Sequence, residues 1–312
     1  MKKALRLLCL SALGLAAMVA NAETYAFMVG INDYPDVVDK DGKPMKDENG
    51  NIVDADLKGC VNDIKNYTDL LVNKFGVKPD NIKTAFDKKA NTDGFLTGIK
   101  WLISSAKAGD QIIFVYSGHG TQFDDPEIDE EDKKQEAIVL ADDKLVTGNL
   151  FKEVSQMTSK AGVNATFVFD SCYSGGITRD VASYDMKPAT TRNRFFKPEF
   201  LAKAKFLEKG KGDEIRAIAK KAPKAASEGS YMFLLAGRED QPTEDLEFKD
   251  NSLPARGLFS LVFGVMLDDE PNTSVENLMK KTAALLKDKG FDQVPQYEFS
   301  SADRGKKPFF LK

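Results

Sequence analysis

Histidine and cysteine are scarce in this chain. Its 312 residues include one histidine, His119, and three cysteines, Cys9, Cys60 and Cys172. A zinc site that needs two imidazoles is therefore excluded within a single chain, as are a four-cysteine zinc site and a disulfide framework. Any chemistry that needs an imidazole must use His119.

Long apolar segments are also lacking, apart from one near the amino terminus. Three basic residues precede an apolar run at 7–19, and small residues follow at 20–22. This layout predicts a cleavable secretory signal over residues 1–22, with an apolar run too short to span a bilayer comfortably. We therefore expect a mature chain from about Glu23 that is secreted or periplasmic and leaves the membrane once the signal is removed.

The chain has no excess of positive charge. It contains 44 Lys and Arg residues against 48 Asp and Glu residues, which gives a net charge of −4. This balance does not favour general affinity for nucleic acid. A hydrophobic content of 42% is that of a chain with a substantial buried core.

Short apolar runs alternate with segments of helical spacing. The apolar runs predict strands buried on both faces at 25–29, 112–116, 165–169 and 231–236. Apolar residues three or four positions apart predict helices at 61–75, 95–106, 258–267 and 275–286. Together they predict an α/β fold with a mostly parallel central sheet and helices on both faces, in one domain over residues 23–312.

Three polar stretches interrupt this pattern. Asn49-Gly50 lies within residues 35–56 and predicts an inserted hairpin with a type I′ turn. The acidic stretch 124–132 predicts a solvated loop. The basic stretch 186–229 predicts a linker between a larger part, 23–185, and a smaller part, 230–312. It is either flexible or an exposed helix.

Two of the predicted strands run directly into turns that carry the chemistry. The strand at 112–116 is followed by Ser-Gly-His-Gly at 117–120, and the strand at 165–169 by Asp-Ser-Cys-Tyr-Ser-Gly-Gly at 170–176. The carboxyl ends of parallel strands meet at one edge of a sheet, so His119 and Cys172 should lie on the same rim. A neighbouring imidazole makes a thiol a good nucleophile, and the N–H groups of Gly120 and Cys172 could stabilise an oxyanion.

These motifs resemble a known family. Tyr-Ser-Gly-His-Gly at 116–120 and Asp-Ser-Cys-Tyr-Ser-Gly at 170–175 are similar to the two catalytic motifs of the metacaspase branch of caspase-like cysteine proteases. Further matches extend the resemblance from about residue 25 to residue 301: Gly-Ile-Asn-Asp-Tyr at 30–34, Leu-Lys-Gly-Cys-Val-Asn-Asp at 57–63, Arg-Gly-Leu-Phe-Ser at 256–260, Pro-Gln at 295–296 and Ser-Ser at 300–301. The resemblance implies a caspase-like (caspase-hemoglobinase) fold. With the predicted signal, we expect a secreted, bacterial cysteine endopeptidase in which Cys172 is the nucleophile and His119 is the base and acid.

The resemblance also implies a pocket for the residue before the cleaved bond. The matching positions are Cys60, Asp63, Ser117 and Asp170. Two carboxylates in a small pocket favour a cationic side chain, particularly the fork of Arg. The expected partners are therefore protein or peptide substrates with Arg or Lys before the cleaved bond.

The chain departs from the family at several positions. Tyr173 follows the nucleophile where many metacaspases have His. Positions that match the calcium ligands of calcium-dependent metacaspases are Gln135, Thr147 and Gly148, which carry no carboxylate. We therefore expect no cofactor and no metal ligand, although the acidic stretch 124–132 could bind calcium weakly.

Two other functions stay open at this point. One is a catalytically silent caspase-like domain that binds peptides or partners, and the other is a legumain- or clostripain-type protease with a different pocket. For the protease we also expect self-cleavage within 186–226, with Arg192, Arg194 and Lys197 as the first choices.

Overall fold

A computed structural model describes residues 22–311, apart from 48, 125–132, 174–187, 202–204, 240 and 249–252. Nearly all of the signal predicted over residues 1–22 and nearly all of the acidic stretch 124–132 lie outside the described residues. Within the described part of the chain, no helix combines the length and hydropathy needed to cross a membrane.

The described strands form three sheets. In chain order they are β1 (Thr24–Gly30), β2 (Ile82–Phe86), β3 (Gln111–Ser117), β4 (Gly120–Asp124), β5 (Lys134–Val139), β6 (Lys144–Thr147), β7 (Asn164–Asp170), β8 (Pro188–Asn193), β9 (Lys205–Phe206), β10 (Tyr231–Leu235), β11 (Glu244–Phe248), β12 (Arg256–Gly257) and β13 (Gln296–Phe299). The sheet orders are β13-β10-β7-β3-β1-β2, β12-β11-β8 and β4-β5-β6-β9. The six-stranded sheet is parallel except for the edge strand β13.

Helices cover both faces of the central sheet. They are α1 (Cys60–Asp69), α2 (Thr92–Ser105), α3 (Gly148–Lys160), α4 (Lys209–Lys221), α5 (Leu258–Asp269), α6 (Val275–Asp288) and α7 (Ala302–Gly305). Apolar residues of α2, α3 and α4 pack on one face, and those of α1, α5 and α6 pack on the other. The predicted α/β fold, with a mostly parallel sheet between helices, is confirmed.

The side chains of each central strand alternate between the two cores. In β3, Phe114 and Tyr116 belong to the core under α2 and α3, whereas Ile113 and Val115 belong to the core under α1 and α5. Because both faces are buried, such strands are continuous apolar runs, which is why β1, β3, β7 and β10 could be predicted to within a residue. Shorter or more exposed strands, including β2 and β4, were not predicted.

The inserted hairpin has a different turn from the one predicted. Bridges join Val38 to Pro44 and Lys46 to Ile52 within this segment. The N–H of Gly50 donates to the carbonyl of Asp47, so the hydrogen-bonded turn spans residues 47–50 and ends at Gly50, which has a φ of 84°. The predicted type I′ turn instead has Asn49 and Gly50 as its two central residues. The type I′ assignment is therefore wrong. The Asp47 carboxylate instead accepts from the N–H groups of residues 49 and 51.

The basic segment 186–229 is more than a connection between two parts. Its described residues supply β8 to the three-stranded sheet, β9 to the four-stranded sheet, and α4. Ile215 and Ala219 of α4 are buried in the core that α2 and α3 share. A chain segment with this many buried contacts is part of the folded domain.

Phe114 is the centre of an aromatic cluster in this core. Its ring centroid lies 5.1–6.2 Å from those of five neighbours: Phe27, Phe95, Phe151, Phe167 and Phe169. We expect Phe114→Ala to lower the free energy of unfolding by about 3–5 kcal/mol in urea titrations, because it leaves a cavity. Phe206→Ala, at a half-exposed position, is the control and should lose much less. An equal loss in both variants would contradict a packing role for this cluster.

Candidate active site

The two chemistry-bearing turns lie side by side. Strands β3 and β7 are parallel neighbours in register, with Ser117 paired to Asp170, so both turns begin at the same edge of the sheet. Gly120 lets the turns approach closely, since a Cβ there would lie 2.3 Å from the carbonyl oxygen of Cys172. The structure thus brings His119, Gly120 and Cys172 to one rim.

The ring of His119 is oriented by a backbone carbonyl. Its Nε2 lies 2.7 Å from the carbonyl oxygen of Ala55, which can only accept a hydrogen bond. The proton therefore resides on Nε2, and Nδ1 is the basic nitrogen. Nδ1 has no hydrogen-bond partner among the described residues.

The surroundings keep this imidazole neutral. His119 is buried between the rings of Tyr34 and Phe196, whose centroids lie 4.6 and 5.0 Å away. Burial lowers the pKa of His119 below its ordinary value, while the backbone carbonyls of Ala55 and Arg194 act in the opposite direction. A neutral imidazole can accept a proton at neutral pH.

Tyr34 also fixes the turn that carries the histidine. Its hydroxyl accepts a hydrogen bond of 2.8 Å from the N–H of His119 and lies 3.2 Å from the hydroxyl of Tyr116. Tyr116 in turn donates to the carbonyl of His119 at 2.7 Å. Tyr34 belongs to the Gly-Ile-Asn-Asp-Tyr motif, which marks it as a residue shared with the family. Its contact with the turn that carries His119 could not be predicted from the sequence.

The nucleophile candidate is buried in the same region. The thiol of Cys172 donates to the carbonyl of Gln241 at 3.2 Å. Tyr173, which follows it, is buried, and its hydroxyl lies 3.2 Å from the hydroxyl of Ser171. Tyr173 also lines a cavity of about 530 Å³ together with Phe169 and Gln296.

The first turn of α5 holds the two predicted pocket carboxylates. The N–H of Gly257 donates to Asp63 at 3.0 Å, and the N–H of Ser260 donates to Asp170 at 2.9 Å. Arg256 Nε adds a contact of 3.2 Å to Asp63. Unpaired N–H groups at a helix start favour negative charge. The motif at 256–260 therefore helps to build the acidic pocket.

The pocket is filled by Arg194 of the same chain. Its Nη2 lies 2.9 Å from Asp63 and 2.8 Å from Asp245, both at carboxylate oxygens. Its Nη1 donates to Ser117 Oγ at 2.7 Å and lies 3.1 Å from Oδ1 of Asp170. All five side chains are buried. The third carboxylate, Asp245, was missed by the sequence analysis because nothing separates it from the other acids at 244–247.

Cys60 completes the set of predicted pocket residues. It is fully buried, and its thiol contacts Ser117. Burial raises the pKa of this thiol well above its ordinary value, although the Arg194 guanidinium opposes the rise. Cys60 therefore lines the pocket as a neutral thiol.

The backbone around Arg194 is also bound in the cleft. Strand β8 pairs antiparallel with β11, and at its end the N–H of Arg194 donates to the carbonyl of Thr243 at 3.1 Å. The carbonyl of Arg194 accepts from the N–H of Gly120 at 2.9 Å, and the N–H of Phe196 donates to the carbonyl of Gly120 at 2.8 Å. The chain thus crosses the rim with the side chain of Arg194 in the pocket. The carbonyl of Arg194 is bound to the N–H of Gly120, the predicted oxyanion donor.

Gln135, one of the positions matched to calcium ligands, has another contact. Gln135 donates through its side chain to the carbonyl of Glu136. The nearby carboxylate of Asp142 accepts hydrogen bonds from Thr92 at the start of α2. Within the described residues, no group of three or more His, Cys, Asp or Glu side chains could hold a metal ion.

The chain is similar in sequence to metacaspases. A family model described as "Metacaspase, peptidase C14 domain" matches residues 25–180. Metacaspase-1 of Schizosaccharomyces pombe is 26% identical over 275 residues, which cover 78% of this chain and 64% of that protein. Metacaspase-1A of Neurospora crassa is 33% identical over 133 residues, covering 40% of this chain and 29% of that protein.

A solved structure shares the fold. Protein GSU0716 from Geobacter sulfurreducens has a TM-score of 0.59 and 19% sequence identity, covering 93% of this chain and 98% of that one. The chain spans less than two thirds of the length of the two metacaspases above. The solved structure supports the fold, and the family model, which matches half of the chain, identifies a domain of the metacaspase type. The chain belongs to the metacaspase family.

The burial of Arg194 against three carboxylates generates a prediction about stability. Burial raises the pKa of Asp63 to about 7, and the Arg194 guanidinium lowers it. We expect Arg194→Ala to reduce the free energy of unfolding by about 3–5 kcal/mol at pH 8, because the carboxylates lose their partner. The loss should shrink as the pH falls towards about 7, because Asp63 without the Arg194 guanidinium is protonated at a higher pH than Asp63 of the wild type, which removes the buried charge.

Urea unfolding at pH 8 and pH 5.5 measures this difference. Arg192→Ala is the matched control, because Arg192 pairs with Asp54 at the surface. The control should change stability by less than about 1 kcal/mol at either pH. A loss for Arg194→Ala that does not depend on pH would contradict the proposed titration of the pocket.

Proposed function

We propose that the protein is a cysteine endopeptidase that hydrolyses peptide bonds after Arg or Lys, with Cys172 as nucleophile and His119 as base and acid. The observation that carries the proposal is the binding of Arg194. Its side chain fills the acidic pocket while its carbonyl accepts from Gly120 N–H. A substrate arginine bound in the same way would present its carbonyl to the two catalytic side chains.

The charges of the pocket support this specificity. Asp63, Asp170 and Asp245 face the guanidinium, and Arg256 contacts Asp63 from the side. Without Arg194 the pocket would hold more negative than positive charge. A buried site of this kind favours a cationic side chain and disfavours the carboxylate of a substrate Asp.

The proposed reaction follows from these positions. Nδ1 of His119 takes the proton of Cys172, and the sulfur attacks the carbonyl carbon of the bound Arg or Lys. The N–H of Gly120 stabilises the oxyanion of the tetrahedral intermediate. The C–N bond then breaks, and the leaving amine takes the proton from His119. Water, deprotonated by His119, hydrolyses the resulting thioester and restores the thiol.

The compartment and the cofactor are further parts of the proposal. The sequence of residues 1–22 supports export of the chain, so we propose a secreted or periplasmic enzyme whose partners are protein or peptide substrates. The residues at the family's calcium positions support activity without a metal.

A panel of peptides tests the function. Peptides that differ only in the residue before the bond, Arg, Lys, Asp or Asn, are incubated with the chain from Glu23 onward, with a calcium chelator or with added calcium. We expect cleavage after Arg and Lys in both conditions. Cys172→Ala and His119→Ala should each lower kcat/KM at least about 10³-fold with unchanged circular dichroism.

Cys60→Ala is the control, because it removes the other mature cysteine and should keep measurable activity. Preference for Asp or for Asn before the bond would contradict the acidic-pocket assignment. Preference for Asn would favour a legumain-type protease. No cleavage of any peptide would favour a silent binding domain. Activity that appears only with calcium would contradict the metal-free proposal.

Self-cleavage is the second expected outcome. Because Arg194 already occupies the pocket with its carbonyl on the Gly120 N–H, we expect a cut between Arg194 and Phe195. Incubated protein should yield two fragments, and amino-terminal sequencing should find Phe195 as the new terminus. Arg194→Gln should lose this cut.

Arg192→Ala is the matched control, because Arg192 lies two residues before Arg194, in β8, but contacts Asp54 outside the pocket. It should be cut as the wild type is. Cys172→Ala protein should stay whole, and the same fragments from that variant would assign the cut to a contaminating protease.

A further inference from the structure

The structure assigns Asp245 a role in substrate selection: we infer that it makes the pocket select arginine over lysine. This inference rests on the proposed function and narrows it, since the pocket residues taken from the family resemblance were Cys60, Asp63, Ser117 and Asp170. The evidence is the way in which the two terminal nitrogens of Arg194 are shared among the pocket groups.

Each terminal nitrogen of the guanidinium has its own partners. Nη1 contacts Ser117 Oγ, the carbonyl of Asp170 and the carboxylate of Asp170, at 2.7, 2.9 and 3.1 Å. Nη2 contacts Asp63 and Asp245, at 2.9 and 2.8 Å. The acceptors therefore fall into two groups, which are joined by the hydrogen bond of 2.8 Å that Ser117 Oγ donates to Asp63, and a planar fork can satisfy both groups at once.

The position of Asp245 is fixed independently of the bound arginine. Its Oδ2 accepts from the N–H of Lys58 at 2.7 Å, and its Oδ1 accepts from the N–H of Gly59 at 3.1 Å. Gly59 permits this approach, since a Cβ there would lie 2.4 Å from Oδ1. Asp245 is buried, so neither water nor a rotation can readily replace its contact with the guanidinium.

A lysine cannot satisfy both groups of acceptors. Its ammonium is a single nitrogen, whereas the groups around Nη1 and Nη2 lie on opposite branches of the guanidinium fork. An ammonium placed near Ser117 and Asp170 leaves Asp245 without a cationic partner. A buried carboxylate that keeps only neutral N–H partners is less stable than one that also contacts a cation, so the bound lysine is less stable than the bound arginine.

The location of Asp245 strengthens its effect on cleavage. It belongs to β11, the strand that pairs with the backbone of residues 188–193, and it pairs with Arg192 in that register. The same strand therefore binds the backbone before the cleaved bond and the side chain in the pocket. A misplaced side chain would also disturb the alignment of the carbonyl with Gly120.

Asp245→Asn is the most informative substitution. The amide oxygen can still accept from the N–H of Lys58, which keeps the loop before α1 in place. The amide nitrogen then faces Nη2 of the arginine, so that two donors oppose each other. Because a lysine does not depend on this contact, the substitution should weaken arginine binding selectively.

The experiment measures both substrates in one reaction. Two peptides that differ only in Arg or Lys before the bond compete for the same enzyme, and the ratio of their kcat/KM values is read from the fractions cut. This ratio does not depend on the active fraction of the preparation or on how often Arg194 occupies the pocket, since both affect the two peptides equally.

We expect the wild type to prefer the Arg peptide by at least about tenfold. Asp245→Asn should lower kcat/KM for the Arg peptide by about 30-fold or more and leave the Lys peptide nearly unchanged. Glu247→Gln is the matched control. It removes a charge from the same strand, at a side chain that contacts Thr190 outside the pocket, and should keep the wild-type ratio.

The possible outcomes separate this inference from the proposed function. Equal cleavage of both peptides by the wild type, or an unchanged ratio in folded Asp245→Asn, would overturn the role of Asp245 while leaving the endopeptidase intact. Absence of cleavage of either peptide by the wild type would instead overturn the proposed function. Asp245→Ser, which keeps an acceptor for the Lys58 N–H, serves as a second variant, and circular dichroism checks the fold of each.

Discussion

A buried guanidinium surrounded by three carboxylates is the interaction on which the site depends. The groups around Arg194 come from different elements: Asp63 from α1, Ser117 from β3, Asp170 from β7 and Asp245 from β11. Charged groups without partners are strongly disfavoured in a protein interior. Each of these side chains therefore needs the others in place, and their convergence links the three-stranded sheet to the central sheet.

Burial has opposite consequences for the two ionisable groups that matter most. It raises the pKa of Asp63 towards neutrality and lowers that of His119. The proposed reaction needs Asp63 charged and His119 uncharged, and both forms are favoured as the pH rises. The lowered pKa leaves His119 uncharged at neutral pH, so the charge of Asp63, whose pKa is raised to about 7, sets the lower pH limit of the proposed reaction.

Much of the frame of this site could be predicted from the sequence, because its signals are local. Fully buried parallel strands are apolar runs. The turn after β3 carries the only histidine between two glycines, and the turn after β7 carries a cysteine three residues before a pair of glycines. Asp245 and Arg194 could not be assigned to the pocket in this way. Their contacts depend on the pairing of β8 with β11, two segments far apart in sequence, and on the pairing of β11 with β12.

The basic stretch 186–229 is a second example of what the sequence alone could not predict. Its composition suggests a solvated connection, and most of its lysines agree with that interpretation. Arg194, which lies within this stretch, is fully buried, so the segment also contributes a side chain to the pocket. The composition of a segment describes its average residue, whereas the pocket depends on one particular residue of the segment.

The pairing of β8 with β11 has a consequence for any peptide that arrives from solution. Arg194 is a ligand attached to its own receptor, and a tethered ligand of this kind is present at an effective concentration on the order of millimolar, whatever the amount of protein. A free peptide must compete against that concentration. Hydrolysis of the bond after Arg194 would release the chain only on the carboxyl side of Arg194. On the amino side, the strand at 188–193 would still be hydrogen-bonded to β11. Full access of other substrates to the pocket therefore requires β8 to separate from β11.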